Sequence, residues 1–332
     1  MNEISRPKVL VVGGAGLIGS HTNKALHQDG FDTVVLDNLS SGFKEAVVVG
    51  EFVEGDLSDR SLLDTLFLKH EFKAVFHFAA HLDVGESVRN PLKYYQNNVS
   101  NTLNLLEAMQ HHRVSYFVFS SSAAVYGIPE KIPIPETHKK MPINPYGKTK
   151  LMIEEIVHDF EGAYGLKHCN LRYFNAAGGD PEGRIHNYRR KEHNLIPVLL
   201  LNTFQNKRSI QIFGDDYPTP DGTCLRDYIH VDDLSRAHVL ALRRLLDGAP
   251  SSTYNLGNGK GFSVKEVVDA TQAITRIPLT IQLEKRRPGD PPVLLADASK
   301  ARDELGWIPR YPDLESMVSH AWAALQKFPP SR

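Results

Sequence analysis

Two side chains suited to acid–base chemistry stand four residues apart in a segment with a helical pattern. They are Tyr146 and Lys150, and Pro145 comes directly before them. Four residues are about one helical turn, so the two side chains share a face. A neighbouring ammonium favours the charged form of a phenol, whose ordinary pKa is about 10. The pair predicts a tyrosine that acts as a general base near neutral pH, although such pairs also arise by chance on helices.

A hydroxyl is available upstream of this pair. Ser120, Ser121 and Ser122 follow the predicted strand Tyr116–Phe119. Serine at a strand end is usually a turn former. Here Ser122 is the candidate for bridging the tyrosine and a substrate. A glycine-rich turn and an acidic residue precede the serine and the Tyr/Lys pair in the chain, and the four features in this order are jointly specific.

A glycine-rich turn lies near the start of the chain, after the apolar run Lys8–Val12. Gly13, Gly16 and Gly19 are spaced by two residues each and open a predicted helix that runs to about Gln28. This arrangement allows a tight turn, close approach of the backbone to a pyrophosphate and close packing of helix on strand. The helix N-terminus adds free N–H groups and a positive dipole end. The turn therefore predicts a dinucleotide site.

An acidic residue follows the glycine turn at the expected distance. Asp37 ends the second strand, Thr33–Leu36, 18 residues after Gly19. A carboxylate there accepts from a ribose 2′-hydroxyl and repels a 2′-phosphate, which favours NAD over NADP. Asp56 lies where a residue contacting adenine would be found, and an N-cap for the helix after Ser58 is the competing interpretation.

The elements that position these residues alternate between short β-branched runs and helical patterns, which predicts an α/β fold with a Rossmann-type doubly wound parallel sheet. Long helices are expected from about Leu92 to His112 and from Pro145 to Tyr164. The composition of the chain changes after Asn175, where the segment Gly178–Arg190 is rich in glycine and charged residues. We therefore predict a first domain over 1–175 and a smaller C-terminal domain over 176–332, with about 225–250 returning to the first.

The composition excludes several classes of protein. The net charge of −1 provides no field for nucleic acid or for an anionic membrane. No apolar stretch approaches the roughly 20 residues that span a bilayer, and the N-terminus has no signal-peptide pattern. Cys169 and Cys224 form no disulfide framework, and neither they nor the 15 histidines show metal-ligand spacing. We expect a cytoplasmic protein without a metal.

The motifs together resemble the extended short-chain dehydrogenase/reductase family and, within it, the UDP-galactose (UDP-glucose) 4-epimerases. The resemblance runs from about Val9 to Trp307 and includes the C-terminal motifs that separate epimerases from other members. The motifs that carry it are Leu36–Asn38, Val84–Ser87, Ser120–Gly127, Pro145–Lys148, Leu171–Asn175, Asp221–His230, Tyr254–Gly257, Arg286–Asp290 and Ala296–Ser299.

The resemblance implies a role for each matched residue. Tyr146 would take the proton from the sugar 4-hydroxyl, Ser122 would relay it, and Lys150 would hold the nicotinamide ribose. NAD would be lined by Gly13, Gly16, Leu17, Ile18, Gly19, Asp37, Asn38, Asp56, Leu57, Phe78, Ala79, Ala80, Asn97, Tyr146, Lys150 and Tyr173. The UDP-sugar would be held by Ser122, Tyr146, Phe174, Asn175, Asn194, Leu195, Phe213, Arg226, Arg287, Asp290 and Leu294. A homodimer built on the helices near 92–112 and 145–164 is also implied.

Two departures from the family pattern leave the sugar open. Leu82 stands where the pattern often carries a lysine, and Leu294 stands where some members carry a tyrosine beside the sugar. A smaller wall at Leu294 would admit an N-acetyl group at C2. Epimerisation of N-acetylhexosamine, pentose or uronate substrates therefore stays open, as does a non-catalytic NAD-binding protein. The related 4,6-dehydratases need an acid where this chain has Ala123 and Ala124, which sets them aside.

Overall fold

The structure is a computed structural model that describes residues 6–186, 194–287 and 290–329. The chain divides into two compact units. The first comprises the chain up to Gly127 together with Lys140–Arg172 and Ser235–Tyr254. The second comprises Ile128–Lys139, Tyr173–Leu234 and the chain from Asn255 onward.

The secondary structure alternates between strands and helices along the described chain. The strands are β1 (Lys8–Val12), β2 (Asp32–Asp37), β3 (Glu51–Glu54), β4 (Phe72–His77), β5 (Tyr116–Ser122), β6 (Lys167–Tyr173), β7 (Asn175–Ala177), β8 (Ser209–Phe213), β9 (Leu225–His230), β10 (Ser252–Leu256), β11 (Gly261–Ser263), β12 (Thr280–Glu284) and β13 (Val293–Leu294). The helices are α1 (Leu17–Gln28), α2 (Arg60–Lys69), α3 (Val84–Arg89), α4 (Pro91–Tyr94), α5 (Asn101–His111), α6 (Pro145–Tyr164), α7 (Leu195–Phe204), α8 (Val231–Leu246), α9 (Val264–Thr275), α10 (Ser299–Leu305) and α11 (Leu314–Lys327).

The predicted doubly wound sheet is confirmed. Seven strands follow the order β10-β6-β5-β4-β1-β2-β3, and β1 pairs in parallel with both β2 and β4. The central strands of such a sheet are rich in buried apolar residues, because helices cover both faces. In β1, for example, Val9, Leu10 and Val11 are fully buried. The strand order reverses beside β1, and ligands of α/β sheets bind at the carboxyl ends of strands at such a point.

The helical stretch predicted from about Leu92 to His112 is present over consecutive segments, although it is not one regular α-helix. The chain forms α4, then a π-helical segment over Tyr95–Ser100, then α5. Asn98 lies in the π-helical segment and is fully buried, and its side chain hydrogen bonds to the backbone of His81 instead of facing solvent. A wide turn of this kind usually marks a functional region.

The second unit has its own sheet and core. β9 is flanked by β11 and β13 and also pairs with β7, while β8 and β12 form a separate parallel pair. Its core draws on α7, α9 and α11, with Leu199, Val267 and Met317 fully buried. In the parts of the chain that the structure describes, no helix combines the length and the apolarity that crossing a bilayer requires.

Candidate active site

The three glycines of the turn after β1 have different reasons for lacking a side chain. Gly13 has a φ of +79°, and a Cβ there would lie 2.5 Å from the backbone nitrogen of Ala79. A Cβ on Gly19 would collide with the carbonyl oxygen of Gly13. The fold itself therefore requires glycine at both positions. The contact between Gly13 and Ala79 also brings the turn against the chain that leaves β4.

Gly16 is different, because no described residue of the first unit lies close enough to demand a glycine there. Its φ of −80° and ψ of 172° suit any residue, and a Cβ would meet nothing closer than an oxygen 3.5 Å away. Gly16 is also the N-cap of α1 and makes no side-chain cap hydrogen bond. Free backbone N–H groups beside a position without a side chain suit a pyrophosphate. The residues present therefore fit a dinucleotide.

The acid at the end of β2 is held by backbone donors. Asp37 accepts hydrogen bonds from the backbone nitrogens of Ala15 at 2.9 Å and Leu39 at 2.8 Å. Burial raises the pKa of Asp37 above its ordinary value, although these two hydrogen bonds act in the opposite direction. They orient the carboxylate beside the glycine turn, which is where the ribose of a dinucleotide lies.

Asp56 belongs to the same edge of the sheet as Asp37. It accepts from the side chain of Asn38 at 2.5 Å and from the backbone nitrogen of Ser58 at 2.8 Å. The interpretation of Asp56 as a helix N-cap was wrong, because Asp59 caps α2 by accepting from the backbone nitrogen of Leu62. Asp56 and Asn38 thus form a hydrogen-bonded polar pair at the edge where an adenosine would lie.

The remaining residues expected around NAD divide into exposed and buried groups. Phe78 donates its backbone N–H to the carbonyl oxygen of Val12 at 2.8 Å, which continues β4 alongside β1. Ala79, Ala80, Asn97 and Ile18 are partly exposed, whereas the side chains of Leu17, Leu57 and Tyr173 are buried. Leu57 packs in the hydrophobic core. The side chain of Leu57 is therefore not available to a ligand, and its carbonyl oxygen accepts from Asn104 Nδ2 at 3.0 Å.

The start of α6 carries the predicted base. Pro145 occupies the first turn, and the side chain of Asn144 accepts from the backbone nitrogen of Gly147 at 2.8 Å as the N-cap. A Cβ on Gly147 would lie 2.6 Å from the carbonyl oxygen of Ala124. The residue after Tyr146 is therefore a glycine because α6 begins directly against the turn that follows Ser122. This contact brings two of the predicted catalytic residues into one region.

Lys150 lies one turn further along α6, and only 1% of it is exposed. Its Nζ donates to the carbonyl oxygen of Ser120 at 2.7 Å. Nζ also lies 4.8 Å from the centroid of the Phe119 ring and 5.9 Å from that of Tyr146. Burial lowers the pKa of Lys150 to about 7. An ammonium this close to the phenol ring stabilises a phenolate.

Ser122 lies within β5 and not in a turn beyond it, because the strand extends to this residue. Its Oγ accepts from the backbone nitrogen of Ala124 at 3.2 Å and caps a short 3₁₀ turn over Ala123–Val125. A serine hydroxyl that accepts one hydrogen bond still has its proton to donate. Ser122, Tyr146 and Lys150 thus all belong to the first unit, around the end of β5 and the start of α6.

Sequence reasoning missed a buried polar network below these residues. Arg172 donates through Nε and Nη2 to the two carboxylate oxygens of Glu154, at 2.8 and 2.5 Å. It also donates to the hydroxyl of Tyr126, while Ser121 donates to Glu154 at 2.6 Å. Burial alone would lower the pKa of Arg172, but its hydrogen bonds to Glu154 raise it above the ordinary value. The available signal was that Glu154 is one turn after Lys150.

A second missed residue is Asn98, whose side chain joins two parts of the site. It donates to Thr149 Oγ1 at 3.1 Å and to the carbonyl oxygen of His81 at 3.1 Å. Thr149 in turn donates to the carbonyl oxygen of Tyr146 at 2.7 Å. Asn98 therefore connects the chain after β4 with the turn of α6 that carries the tyrosine. No spacing rule in the sequence indicates this contact.

Several of the residues expected to bind a UDP-sugar meet in the second unit. Arg226 Nη1 donates to the carbonyl oxygen of Pro291 at 2.9 Å, and Nη2 lies 3.4 Å from a carboxylate oxygen of Asp290. Leu294 is directly opposite Arg226 in the β13–β9 register and is half-buried. Asp290 and Leu294 are therefore both neighbours of Arg226.

Asp227 holds this part of the second unit together. Its carboxylate accepts from the backbone nitrogens of Asn258 at 2.7 Å, Ala296 at 3.0 Å and Gly259 at 3.1 Å. Burial raises the pKa of Asp227 to about 6 despite these donors. The carboxylate thus joins β9 to the segment that follows β13. Asn175 adds a hydrogen bond of 3.1 Å to the carbonyl oxygen of Asp227.

The other expected substrate residues are placed separately from the Arg226 group. The guanidinium of Arg287 lies over the ring of Phe213, 3.8 Å from its centroid. Asn194 is the N-cap of α7 and Leu195 is its first residue. Within the described ranges, no hydrogen bond or ion pair joins Arg287 or Asn194 to Arg226. Phe174 lies between β6 and β7.

Comparison with known proteins gives the same family from sequence and from structure. The profile of the NAD dependent epimerase/dehydratase family matches residues 9–257. A UDP-glucose 4-epimerase of Halalkalibacterium halodurans is 51% identical over 314 residues, which cover 95% of this chain and 94% of the relative.

Two solved structures extend this similarity to the fold. A UDP-glucose 4-epimerase from Brucella ovis in complex with NAD has a TM-score of 0.93 and 46% identity, covering 97% of this chain and 98% of its own. A UDP-Glc/GlcNAc 4-epimerase from Campylobacter jejuni has a TM-score of 0.85 and 44% identity, covering 97% and 99%. The chain therefore belongs to the NAD dependent epimerase/dehydratase family and, within it, to the UDP-glucose 4-epimerases.

Proposed function

We propose that this protein interconverts UDP-glucose and UDP-galactose by epimerisation at C4, through a 4-keto sugar. The observation that carries the proposal is the arrangement at the start of α6. Tyr146 lies there within reach of a buried ammonium, and Gly147 seats the helix against the turn after Ser122. The relatives that cover nearly the whole chain are themselves UDP-glucose 4-epimerases.

The mechanism assigns the proton to residues of the first unit. Tyr146 removes the proton from the sugar 4-hydroxyl as C4 is oxidised, and returns it when C4 is reduced from the opposite face. Ser122 bridges the sugar oxygen and the phenol, and Lys150 keeps the phenol acidic. Bound NAD supplies the hydride acceptor and donor that this sequence of steps requires. Epimerisation follows if the 4-keto sugar turns over between the two transfers.

The cofactor assignment rests on the edge of the first unit around the glycine turn. We propose that the pyrophosphate binds at Gly16 and the N-terminus of α1, and that Asp37 accepts from the adenosine ribose. Asn38 and Asp56 border the adenine end. Phe78, Ala79, Ala80 and Asn97 border the nicotinamide end, where Leu82 stands in place of the lysine that the family often carries. The first unit is thus the proposed NAD-binding domain.

The second unit is the proposed UDP-sugar domain. Arg226 and Arg287 suit a diphosphate, because a guanidinium donates two parallel hydrogen bonds to phosphate oxygens. Asn175, Asn194, Leu195, Phe174, Phe213, Asp290 and Leu294 are the other proposed contacts. Arg226 already uses Nη1 on Pro291, so it is oriented before the substrate arrives.

A second substrate is supported by Leu294. A leucine is smaller than the tyrosine that some members carry there, and it leaves more room beside C2 of the sugar. The relative from Campylobacter jejuni is named for both UDP-Glc and UDP-GlcNAc. We infer measurable but weaker activity on UDP-N-acetylhexosamines. Pentose and uronate substrates have no comparable support among the described residues.

The proposed assembly is a homodimer. Helices α3 to α6 of the first unit carry exposed apolar side chains, among them Val88 at 62%, Leu92 at 64% and Met152 at 39% exposure. Leu106 and Ile153, in contrast, belong to the core.

The other proposed partner is the UDP-sugar, and neither nucleic acid nor a membrane is proposed, because the net charge is −1. A cytoplasmic location is supported by two buried cysteines that form no disulfide.

The test is turnover on a panel of UDP-sugars, with products separated by chromatography. Purified protein should convert UDP-galactose to UDP-glucose without added NAD, because the cofactor must remain bound through both hydride transfers. Denatured protein should release NAD(H). A protein that releases NAD(H) but converts no UDP-sugar would be a non-catalytic binding protein. Release of NADP(H) alone would overturn the cofactor assignment.

A further inference from the structure

A group of three metal-ligating side chains lies in the first unit, apart from the residues assigned above. His158 and Glu161 are three residues apart on one face of α6, and His168 is in β6. Gly165, with a φ of +74°, ends the helix and turns the chain back, so β6 starts beside the last turn of α6. One ligand atom from each of the three side chains lies within 4.8 Å of the others.

His168 is the least satisfied member of this group. Only 5% of it is exposed, and neither ring nitrogen has a hydrogen-bond partner among the residues that the structure describes. Its Nε2 faces a carboxylate oxygen of Glu161 at 3.5 Å, which is too long for a hydrogen bond. Burial lowers the pKa of His168, although Glu161 raises it in part. Both ring nitrogens therefore lack a partner among the described residues, and one of them can offer its lone pair to an ion.

Glu161 is held so that one of its oxygens remains available. Oε1 accepts from Lys167 Nζ at 2.9 Å and from Ser251 Oγ at 2.8 Å, and Oε2 faces His168. Burial tends to raise the pKa of Glu161, but the hydrogen bonds from Lys167 and Ser251 lower it below its ordinary value. Metal-binding carboxylates are oriented by outer hydrogen bonds of this kind.

We propose that His158, Glu161 and His168 bind a single Zn²⁺ ion, with water as the fourth ligand. Two imidazole nitrogens and one carboxylate oxygen are a donor set that Zn²⁺ prefers over Mg²⁺ or Ca²⁺. Ligands about 2.1 Å from a tetrahedral ion lie about 3.4 Å apart, close to the observed separation between His168 and Glu161. His158 is exposed, so its side chain is free to turn onto the ion.

The ion is structural and not catalytic. His158 is twelve positions after Tyr146 on α6, a distance of about 18 Å along the helix. An ion at this place would tie the end of α6 to β6 and, through Glu161 and Ser251, to the chain that enters β10. The sequence shows no metal-ligand spacing because the two histidines come from different elements and meet only through the turn at Gly165.

The experiment uses purified protein with its bound nucleotide, freed of metal by dialysis against a chelator. Zn²⁺ is then titrated in competition with a chromogenic chelator. We expect one Zn²⁺ per chain, a raised melting temperature and unchanged epimerase turnover. Co²⁺ should give the intense visible absorption of a tetrahedral site. Absence of binding at micromolar free Zn²⁺ would overturn the proposal.

The decisive variant is His158→Gln, because this residue is exposed and its replacement leaves the core intact. Its affinity for Zn²⁺ should fall by more than the roughly 10-fold that loss of an outer hydrogen-bond partner costs. The matched control is His111→Gln, an exposed histidine on α5 outside the group. The control should bind like the wild type. Equal affinity in His158→Gln and the wild type would contradict the proposed ligand set, and His168→Gln provides a second variant for the same comparison.

Discussion

Lys150 Nζ donates a hydrogen bond of 2.7 Å to the main-chain carbonyl oxygen of Ser120. This bond joins the first turns of α6 to β5, two residues before Ser122. It also gives the buried ammonium an uncharged acceptor, while Nζ lies 5.9 Å from the centroid of the Tyr146 ring. The position of the proposed base is thus set by a lysine that is itself anchored to the strand carrying the serine.

The buried lysine predicts a pH-dependent cost to stability. The folded-state pKa of Lys150 is about 7, below its ordinary value of 10.5. Between these values the unfolded state binds more protons, so this group makes the free energy of unfolding rise with pH. Lys150→Met lacks the group. Its free energy of unfolding should therefore exceed that of the wild type most at about pH 6. This difference should shrink towards about pH 10, by at most about 1.4 kcal/mol per pH unit.

Urea unfolding of the wild type and Lys150→Met at several pH values measures this effect. Lys148→Met is the control, because Lys148 is exposed on the same helix. A stability difference between Lys150→Met and the wild type that stays constant with pH would show that Lys150 has an ordinary pKa in the folded protein.

The contact between Gly147 and Ala124 predicts an unusual outcome for a glycine-to-alanine change. In a free helix, alanine is more favourable than glycine by roughly 1 kcal/mol. In Gly147→Ala, however, the added Cβ would lie 2.6 Å from the Ala124 carbonyl oxygen and push the start of α6 away. We expect lower stability and a fall in kcat. Gly162→Ala, on the same helix with nothing within 4 Å, should stabilise the protein.

Thermal unfolding and UDP-galactose turnover of these two variants provide the check. If Gly147→Ala were as stable and active as Gly162→Ala, the seating of α6 against the turn after Ser122 would not position the site.

Tyr146→Phe should cut turnover by the roughly 10²–10⁴-fold that a positioned acid–base group contributes. The ring and its packing are kept, so stability should change little. Tyr164→Phe is the control, since Tyr164 is 59% exposed at the other end of α6. Near-normal turnover in Tyr146→Phe would remove this residue from the mechanism, and a much larger loss in Ser122→Ala would require a different proton route.

Gly16→Ala tests whether a glycine is required at this position for binding the cofactor and not for folding. Because its backbone dihedral angles suit alanine and the Cβ meets no close atom, the variant should fold normally. The methyl group would occupy the proposed place of the pyrophosphate. A clash of about 1.4 kcal/mol already weakens binding tenfold. We therefore expect the affinity for NAD to fall at least tenfold, so that less NAD stays bound after purification. Normal NAD content with normal folding would contradict a pyrophosphate at Gly16.

Leu294→Tyr tests whether the side chain at position 294 limits the room beside C2 of the sugar. A clash discriminates between substrates more sharply than a lost contact does. The variant should therefore lose activity on UDP-N-acetylgalactosamine and largely keep activity on UDP-galactose. Specificity constants for both sugars, in wild type and variant, give the answer. Equal losses on both would indicate that Leu294 packs against β9 without limiting the sugar.

Local spacing was enough to predict much of the first unit. The order of strands and helices, the glycine turn at Gly13–Gly19, the acid at Asp37 and the Tyr146–Lys150 pair are each encoded within about 20 residues. Periodicity and fixed offsets along the chain express such features directly. For the same reason the sequence predicted the fold class and the family, since both depend on the order of these local signals.

Contacts between distant segments were decided only by the tertiary structure. The π-helical segment around Asn98, the pairing of Glu154 with Arg172 and the meeting of His158 with His168 each join residues from different elements. The helical pattern in the sequence is the same whether the turn around Asn98 is α-helical or π-helical. The wider turn is stabilised by the hydrogen bonds of the buried Asn98 side chain, and their partners lie in other elements of the fold. Gly147 and Gly162 are indistinguishable as residues of α6, and only the carbonyl of Ala124 makes one of them indispensable.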